Sequence, residues 1–257
     1  MRCTVIGLGE AGRIYAHALQ SRGHEVLGYD VAPIPTPGLA RAADMAEAVG
    51  EAEAVIVMTT ARASLPVARD AAPHLSPGTV YADFTSAAPK AKLALNEILP
   101  SGVMGADIAI LGPVIALGAS TPLMAAGPGA DRVADLLRPV GAPVEVVHGA
   151  LGDAMAHKLL RSILMKGLAA VVCEAVEAGR RAGYEDWIRG QIAAELSGDG
   201  QATIDRFLTG SAKHAARRAD EMAAVTDYCE ALGAPSHMSA AARDSLLHLR
   251  DGALKSA

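Results

Sequence analysis

The sequence predicts an α/β protein: a doubly wound, mostly parallel sheet over residues 1–148, followed by an all-α domain over residues 149–257. Three observations predict it. Short apolar runs alternate with helical patterns up to about residue 148, as in βαβ units around a parallel sheet. No strand-like segment follows Gly149. The chain is 51% apolar but only 3% aromatic, so its core must come from Ala, Val, Leu, Ile and Met, small side chains that suit closely packed helices. A length of 257 residues matches one large domain or two modest ones.

The elements follow in order. Residues 2–7 (RCTVIG) form a short buried strand. A helix runs from Ala11 to Ser21 and stops at Gly23. HEVLGYD is the second strand and ends at Asp30; VAPIPTPG is then a Pro-rich loop. Asp44 to Val49 gives a short helix, AVIVMT a buried strand, and Ala63 to Leu75 a helix with Pro66 in its first turn. After the turn at SPG, TVYADF is another strand. Ala88 to Leu99 is a helix with Pro89 near its start. VMGADIAI, PLMAAG and PVEVVH are three more strands, with a helix at Asp131 to Leu137 between the last two. Helical patterns then cover residues 151–182, 185–196, 211–232 and 237–250, with Gly183 and Gly233 as stops.

Bulk properties exclude several functions. The net charge of −5 comes with no basic stripe, against nucleic-acid binding. No signal-peptide pattern opens the chain, and no charge-free apolar run reaches the roughly 18 residues of a membrane span. Cys3, Cys173 and Cys229 are odd in number and scattered, which fits reduced, core-packing thiols in a cytoplasmic protein and no metal spacing.

Gly7-Leu8-Gly9-Glu10-Ala11-Gly12 fits G-x-G-x-x-G in the required context, after the first strand and opening the first helix. Gly7 permits the tight turn, Gly9 lets the backbone approach a pyrophosphate, and Gly12 lets helix and strand pack closely. The helix N-terminus presents N–H groups to phosphate; Glu10 points outward. The pattern predicts the opening of a Rossmann dinucleotide-binding domain, the alternative being a nucleotide-free Rossmann-like domain with a tight turn. Asp30 ends the second strand about 20 residues on, where a carboxylate accepts from a ribose 2′-OH and repels a 2′-phosphate. No Arg or Lys occurs from Val31 to Ala40, so NAD is favoured, with NADP as the second choice.

The run GDAMAHKLLRSILMKGLAAVV, residues 152–172, places lysines in an apolar helix. At about 100° per residue, Ser162 lies about 40° and Lys166 about 80° from Lys158. The three form a narrow polar stripe on a helix that is apolar almost all round, and so expected to be central and buried. Such a stripe suits the lining of an interdomain cleft better than a solvated surface.

These motifs, in this order, resemble the β-hydroxyacid dehydrogenase family, which includes 3-hydroxyisobutyrate and 6-phosphogluconate dehydrogenases. GLGEAG is similar to its opening loop. YADFTSAAP, residues 81–89, resembles its Asp-x-Ser-Thr-x-x-Pro segment. GADIAILGPV, residues 105–114, falls where the family has Asp-x-x-Val-Ser-Gly-Gly. GDAMAHK, residues 152–158, resembles Gly-x-Gly-x-x-x-Lys, whose Lys is catalytic and matches Lys158. The C-terminal part, with HAARRADEM and LGAPSHM, looks more like a shorter subgroup of poorly defined substrates. The departures are Leu111-Gly112-Pro113 for Ser-Gly-Gly, Ser162 for an Asn, Ala154 for the second Gly, and Thr59-Thr60 for an apolar-Pro pair. Substrate identity is therefore not carried over.

The resemblance implies hydride transfer between NAD and a small β-hydroxyacid-like alcohol or carbonyl compound, with Lys158 as general acid/base. Burial and the neighbouring cations Arg161 and Lys166 act to lower the pKa of such a lysine. Ser162 could hold substrate or Lys158, and Ser86 could touch substrate or nicotinamide or simply cap the following helix. Thr59 and Thr60 fall with the cofactor; Gly112, Lys166 and His214 are candidates for the substrate. Two rivals stand beside this reading: an imine reductase using NADPH, against which Lys158 and Asp30 speak, and a non-catalytic dinucleotide-binding protein. The resemblance and the greasy circumference of the helix at 151–182 both imply a homodimer.

Overall fold

The computed structural model describes residues 1–252. Its contacts divide the chain into two compact units, one of Met1–Arg161 and one from Ser162 onward. The strands are β1 (Arg2–Ile6), β2 (Glu25–Tyr29), β3 (Ala40–Arg41), β4 (Ala54–Val57), β5 (Val80–Asp83), β6 (Met104–Ile110), β7 (Leu123–Ala126) and β8 (Val144–Val147). They form one sheet in the order β3-β2-β1-β4-β5-β6-β7-β8. The β6–β7 pair is antiparallel and the other neighbours are parallel. The predicted mostly parallel sheet and helical C-terminal region are both present.

The first unit also holds α1 (Glu10–Gln20), α2 (Met45–Val49), α3 (Ser64–Ala71), α4 (Pro89–Leu93), α5 (Leu95–Ile98), α6 (Val114–Leu117) and α7 (Ala130–Leu137). Strand residues alternate between two cores. Val5, Ile56 and Ala82 pack with Tyr15, Leu19 and Leu137 on one face; Ile6, Val55, Val57 and Tyr81 pack with Met45, Ala68 and Leu95 on the other. Burial on both faces explains why these strands are continuously apolar. Asp44 caps α2 by accepting from Glu47 N–H at 2.8 Å, while Glu47 reaches back past it to accept from Ala43 N–H at 2.6 Å.

The chain continues through α8 (Asp153–Ala182), α9 (Glu185–Leu196), α10 (Gly200–Ala231) and α11 (His237–Arg250). Buried Glu174 of α8 caps α11, accepting from Met238 N–H at 2.7 Å, Ser239 N–H at 2.8 Å and the Ser239 hydroxyl at 2.6 Å. Burial pushes its pKa up, but the Ser239 hydroxyl and the two N–H groups outweigh that and hold the carboxyl below its ordinary value.

Five expectations need correction. The helix expected over Ala88–Leu99 is two short ones, α4 and α5, meeting at Ala94. The helix expected over 211–232 begins at Gly200, because Asp199 caps it by accepting from Gln201 and Ala202 N–H, and it bends at His214, whose backbone is non-helical. The loop after β2 is followed by the edge strand β3. Cys3 and Cys229 are buried, but Cys173 is exposed. Finally, α8 is not buried within the chain: Leu160, Ile163 and Leu164 are 66%, 73% and 64% exposed, because nothing among the described residues covers that stretch.

Candidate functional site

The site is built at the C-terminal ends of β1, β2 and β4, where the chain reverses from one side of β1 to the other. This is the topological switch point at which open α/β sheets take ligands. Gly7 follows β1 with φ +93°, and a Cβ there would lie 2.6 Å from the Met58 carbonyl oxygen. A Cβ on Gly12 would lie 1.8 Å from the Gly7 oxygen, so α1 can cross this close only over glycine. A Cβ on Gly9 would meet nothing within 4 Å; the space above it is open. Gly9 starts α1 with no side-chain cap, which leaves the first N–H groups of the helix directed at that space.

Beside the loop lies a cavity of about 800 Å³ lined by Gly7, Gly9, Asp30, Thr59 and Thr60, with Tyr29, Val31 and Ile34 at one end and Pro66, Val67 and Asp70 of α3 at the other. Thr59 Oγ1 is buried and has no hydrogen-bond partner among the described residues. An uncapped helix start, open space over Gly9 and an orphaned hydroxyl in the wall fit a phosphate-bearing dinucleotide.

Asp30 does more than face this cavity. Its Oδ2 accepts from Leu8 N–H at 2.7 Å and its Oδ1 from Ala32 N–H at 2.9 Å. The carboxylate therefore joins the glycine loop to the chain after β2. Each oxygen keeps a further lone pair for a ribose hydroxyl. The charge inventory at this end also includes Arg41, one residue beyond the cation-free run Val31–Ala40. Its guanidinium donates to the carbonyl oxygens of Ile34, Asp30 and Ala32 at 2.6, 2.9 and 3.1 Å.

The other predicted residues are distributed as follows. Leu8 is buried, Ala11 half-buried, and Glu10 exposed at the start of α1, as its outward orientation requires. Ser86 is exposed in the loop between β5 and α4; it does not cap α4, whose N-cap is Ala88 without a side-chain bond. Gly112 is half-buried between β6 and α6. Lys158 is half-buried in the second turn of α8, within the first compact unit. Ser162 (half-buried), Lys166 and His214 (both exposed) belong to the second.

The start of α8 is firmly held. Gly152 has φ +102°, and a Cβ there would lie 2.6 Å from the Pro89 oxygen. Met155 N–H donates to Asp107 Oδ2 at 2.9 Å. Asp107 belongs to a buried cluster that the sequence reading missed. Lys92 Nζ lies 3.1 Å from Asp107 Oδ1 and 3.3 Å from Asp83 Oδ1, and donates to the Asp83 carbonyl oxygen at 2.6 Å. All three side chains are 0–1% exposed. Asp83 also accepts from the Ser64 hydroxyl at 2.5 Å and from Thr85 N–H at 2.8 Å. Among the described residues no group of His, Cys, Asp and Glu is arranged to hold a metal, and no helix is long and apolar enough to cross a membrane.

Sheet order, glycine loop and strand-end carboxylate define a dinucleotide-binding α/β protein. The chain belongs to the family of the NAD binding domain of 6-phosphogluconate dehydrogenase, whose family model matches residues 2–152. Residues 180–249 match a domain of unknown function, DUF1932. Among solved structures, the chain is 27% identical to MTH1747, a conserved protein of unknown function described as structurally similar to 3-hydroxyacid dehydrogenases; the match covers 97% of this chain and 98% of that one, with TM-score 0.66. The fold is shared with an imine reductase of Streptomyces aurantiacus (19% identity, 98% and 95% covered, TM-score 0.78). It is also shared with a 3-hydroxyisobutyrate dehydrogenase of Mycobacterium tuberculosis (21% identity, 98% and 94% covered, TM-score 0.70).

Proposed function

We propose that the protein is an NAD-dependent oxidoreductase that moves a hydride between nicotinamide and a small β-hydroxyacid-like alcohol or carbonyl compound. The observation that carries this reading is the cavity shared by Gly7, Gly9, Asp30 and Thr59 beside the uncapped start of α1. Gly9 and the first turn of α1 take the pyrophosphate, Asp30 takes the adenosine ribose, and Thr59 and Thr60 line the path beyond. The cofactor supplies hydride acceptance or donation when bound. Lys158 takes the hydroxyl proton on oxidation and returns it on reduction; Ser86 and Ser162 orient the substrate, with Gly112, Lys166 and His214 as further contacts. Asp30 and Lys158 both favour this reading over NADPH-dependent imine reduction.

The test is a panel of short β-hydroxyacids with NAD beside cyclic imines with NADPH, followed by nicotinamide absorbance. Turnover of hydroxyacids with NAD is expected. Turnover confined to imines supports the reductase reading, and tight NAD binding without turnover on either class supports a non-catalytic protein.

The same proposal includes a homodimer. Leu160, Ile163, Leu164, Leu168 and Val171 recur at helical spacing along α8, all exposed, an apolar stripe of the kind that marks an interface. Light scattering should give twice the chain mass, and Ile163→Asp should give the monomer. A wild-type monomer at micromolar concentration removes this part of the proposal.

A further inference from the structure

The ribose end of the cavity is walled by a segment with few backbone bonds of its own, held at Ala32 N–H by Asp30 Oδ1 and at the Gly38 carbonyl oxygen by Gln20 Nε2, 2.9 and 3.0 Å away. Residues 31–39, VAPIPTPGL, lie outside regular structure apart from turns and bends. Pro33, Pro35 and Pro37 lack an N–H to donate, and the backbone bonds within the segment are Ile34 N–H to Ala32 at 2.8 Å and Leu39 N–H to Thr36 at 3.2 Å. Val31 is 91% exposed. Yet Asp30, Val31 and Ile34 must keep their places for the cavity to keep its shape.

Arg41 adds the support for the carbonyl side of residues 30–34. It sits on β3, which pairs with β2 through Leu27↔Ala40 and Gly28↔Arg41, so its backbone is fixed by the sheet. From there its guanidinium spans three carbonyl oxygens, at residues 30, 32 and 34, within 3.1 Å. It makes no ion pair with a carboxylate among the described residues. A planar fork of N–H donors suits this task, and an ammonium group does not span it. We propose that Arg41 is a positioning residue for the cofactor: it latches residues 30–34 into the form that receives the adenosine ribose. Held there by three carbonyls, it serves the loop instead of a 2′-phosphate. The inference rests on the cavity being the adenosine end of the NAD site.

The experiment titrates wild type, Arg41→Ala and Arg41→Lys with ADP-ribose and with its 2′-phosphorylated form, alongside hydrogen exchange of the three proteins. In Arg41→Ala the Kd for ADP-ribose should rise about tenfold, through lost preorganisation of the loop. Arg41→Lys should recover only part of the loss. Exchange should quicken across residues 31–39 and stay unchanged in the sheet, which a general loss of stability would not reproduce. Unchanged ADP-ribose affinity in Arg41→Ala overturns the proposal. So does weakened affinity with unaltered exchange at 31–39, which would make Arg41 a direct ligand. A loss confined to the 2′-phosphorylated compound would make it a phosphate ligand and also overturn the latch. Wild type failing to bind ADP-ribose would instead remove the reading of the cavity, and the latch with it.

Discussion

Lys158→Ala should lower kcat by about 10²–10⁴-fold, the span for losing a positioned proton donor and acceptor, and leave the Kd for NAD unchanged. The second half follows from placement. The cavity wall is made by the glycine loop, the chain after β2, Thr59–Thr60 and α3, and Lys158 is not part of it. The first half follows from how its helix begins. Gly152 lets α8 approach the Pro89 carbonyl, Asp107 accepts from Met155 N–H, and Asp153 accepts from Ala150 N–H at 2.8 Å. A side chain one turn beyond such an anchored start has a fixed origin, as a group that exchanges a proton in the transition state requires. Lys158→Arg separates the two roles a cation could have. Arginine keeps the charge but does not give up its proton, so it should be as slow as alanine. Near-native turnover in Lys158→Ala sinks the assignment; recovery of turnover in Lys158→Arg would make the residue an electrostatic contact to an acidic substrate.

The sequence displayed what depends on local pattern. Strands buried on both faces show as apolar runs, and a glycine that must touch backbone shows as Gly12 at a fixed distance from Gly7. Asp30 was visible because it ends a strand. Its bond to Leu8 N–H was not, since that joins residues 22 apart. Arg41 directly follows the cation-free run Val31–Ala40; a two-residue edge strand leaves no periodic trace, so nothing marked its backbone as folded against β2. Lys92 stands in PKAKL, which has the look of a solvated helical turn, and Lys90 is indeed exposed. The available signal lay elsewhere: Asp83 and Asp107 fall in strands otherwise apolar, and a buried carboxylate there demands a cation. The apolar circumference of α8 was legible, but its exposure was not, because a sequence shows how apolar a helix is without showing what packs on it.

Lys92→Met should cost about 3–5 kcal/mol of folding stability, the usual penalty for removing one member of a buried charge group. For a unit of this size that corresponds to a fall in Tm of about 10 °C. Methionine nearly matches the length of the lysine and leaves little cavity, so the loss is electrostatic. Asp83 and Asp107 would face each other in a dry interior with the cation gone. Asp83 would retain the Ser64 hydroxyl and Thr85 N–H, and Asp107 only Met155 N–H. Replacing all three at once, with Asp83→Asn, Lys92→Met and Asp107→Asn, should recover part of the loss, because no uncompensated charge then remains buried. Thermal and urea unfolding of the single and triple variants measure both effects. If Lys92→Met unfolds within about 1 kcal/mol of wild type, below the range for an orphaned buried charge, the cluster does not carry the stability assigned to it. The consequence reaches past stability. The same three side chains fix the loop that carries Ser86, through Thr85, and the first turn of α8, through Met155. A variant that survives with the cluster disrupted should therefore lose kcat before it loses the cavity, since none of the three lines the nucleotide pocket.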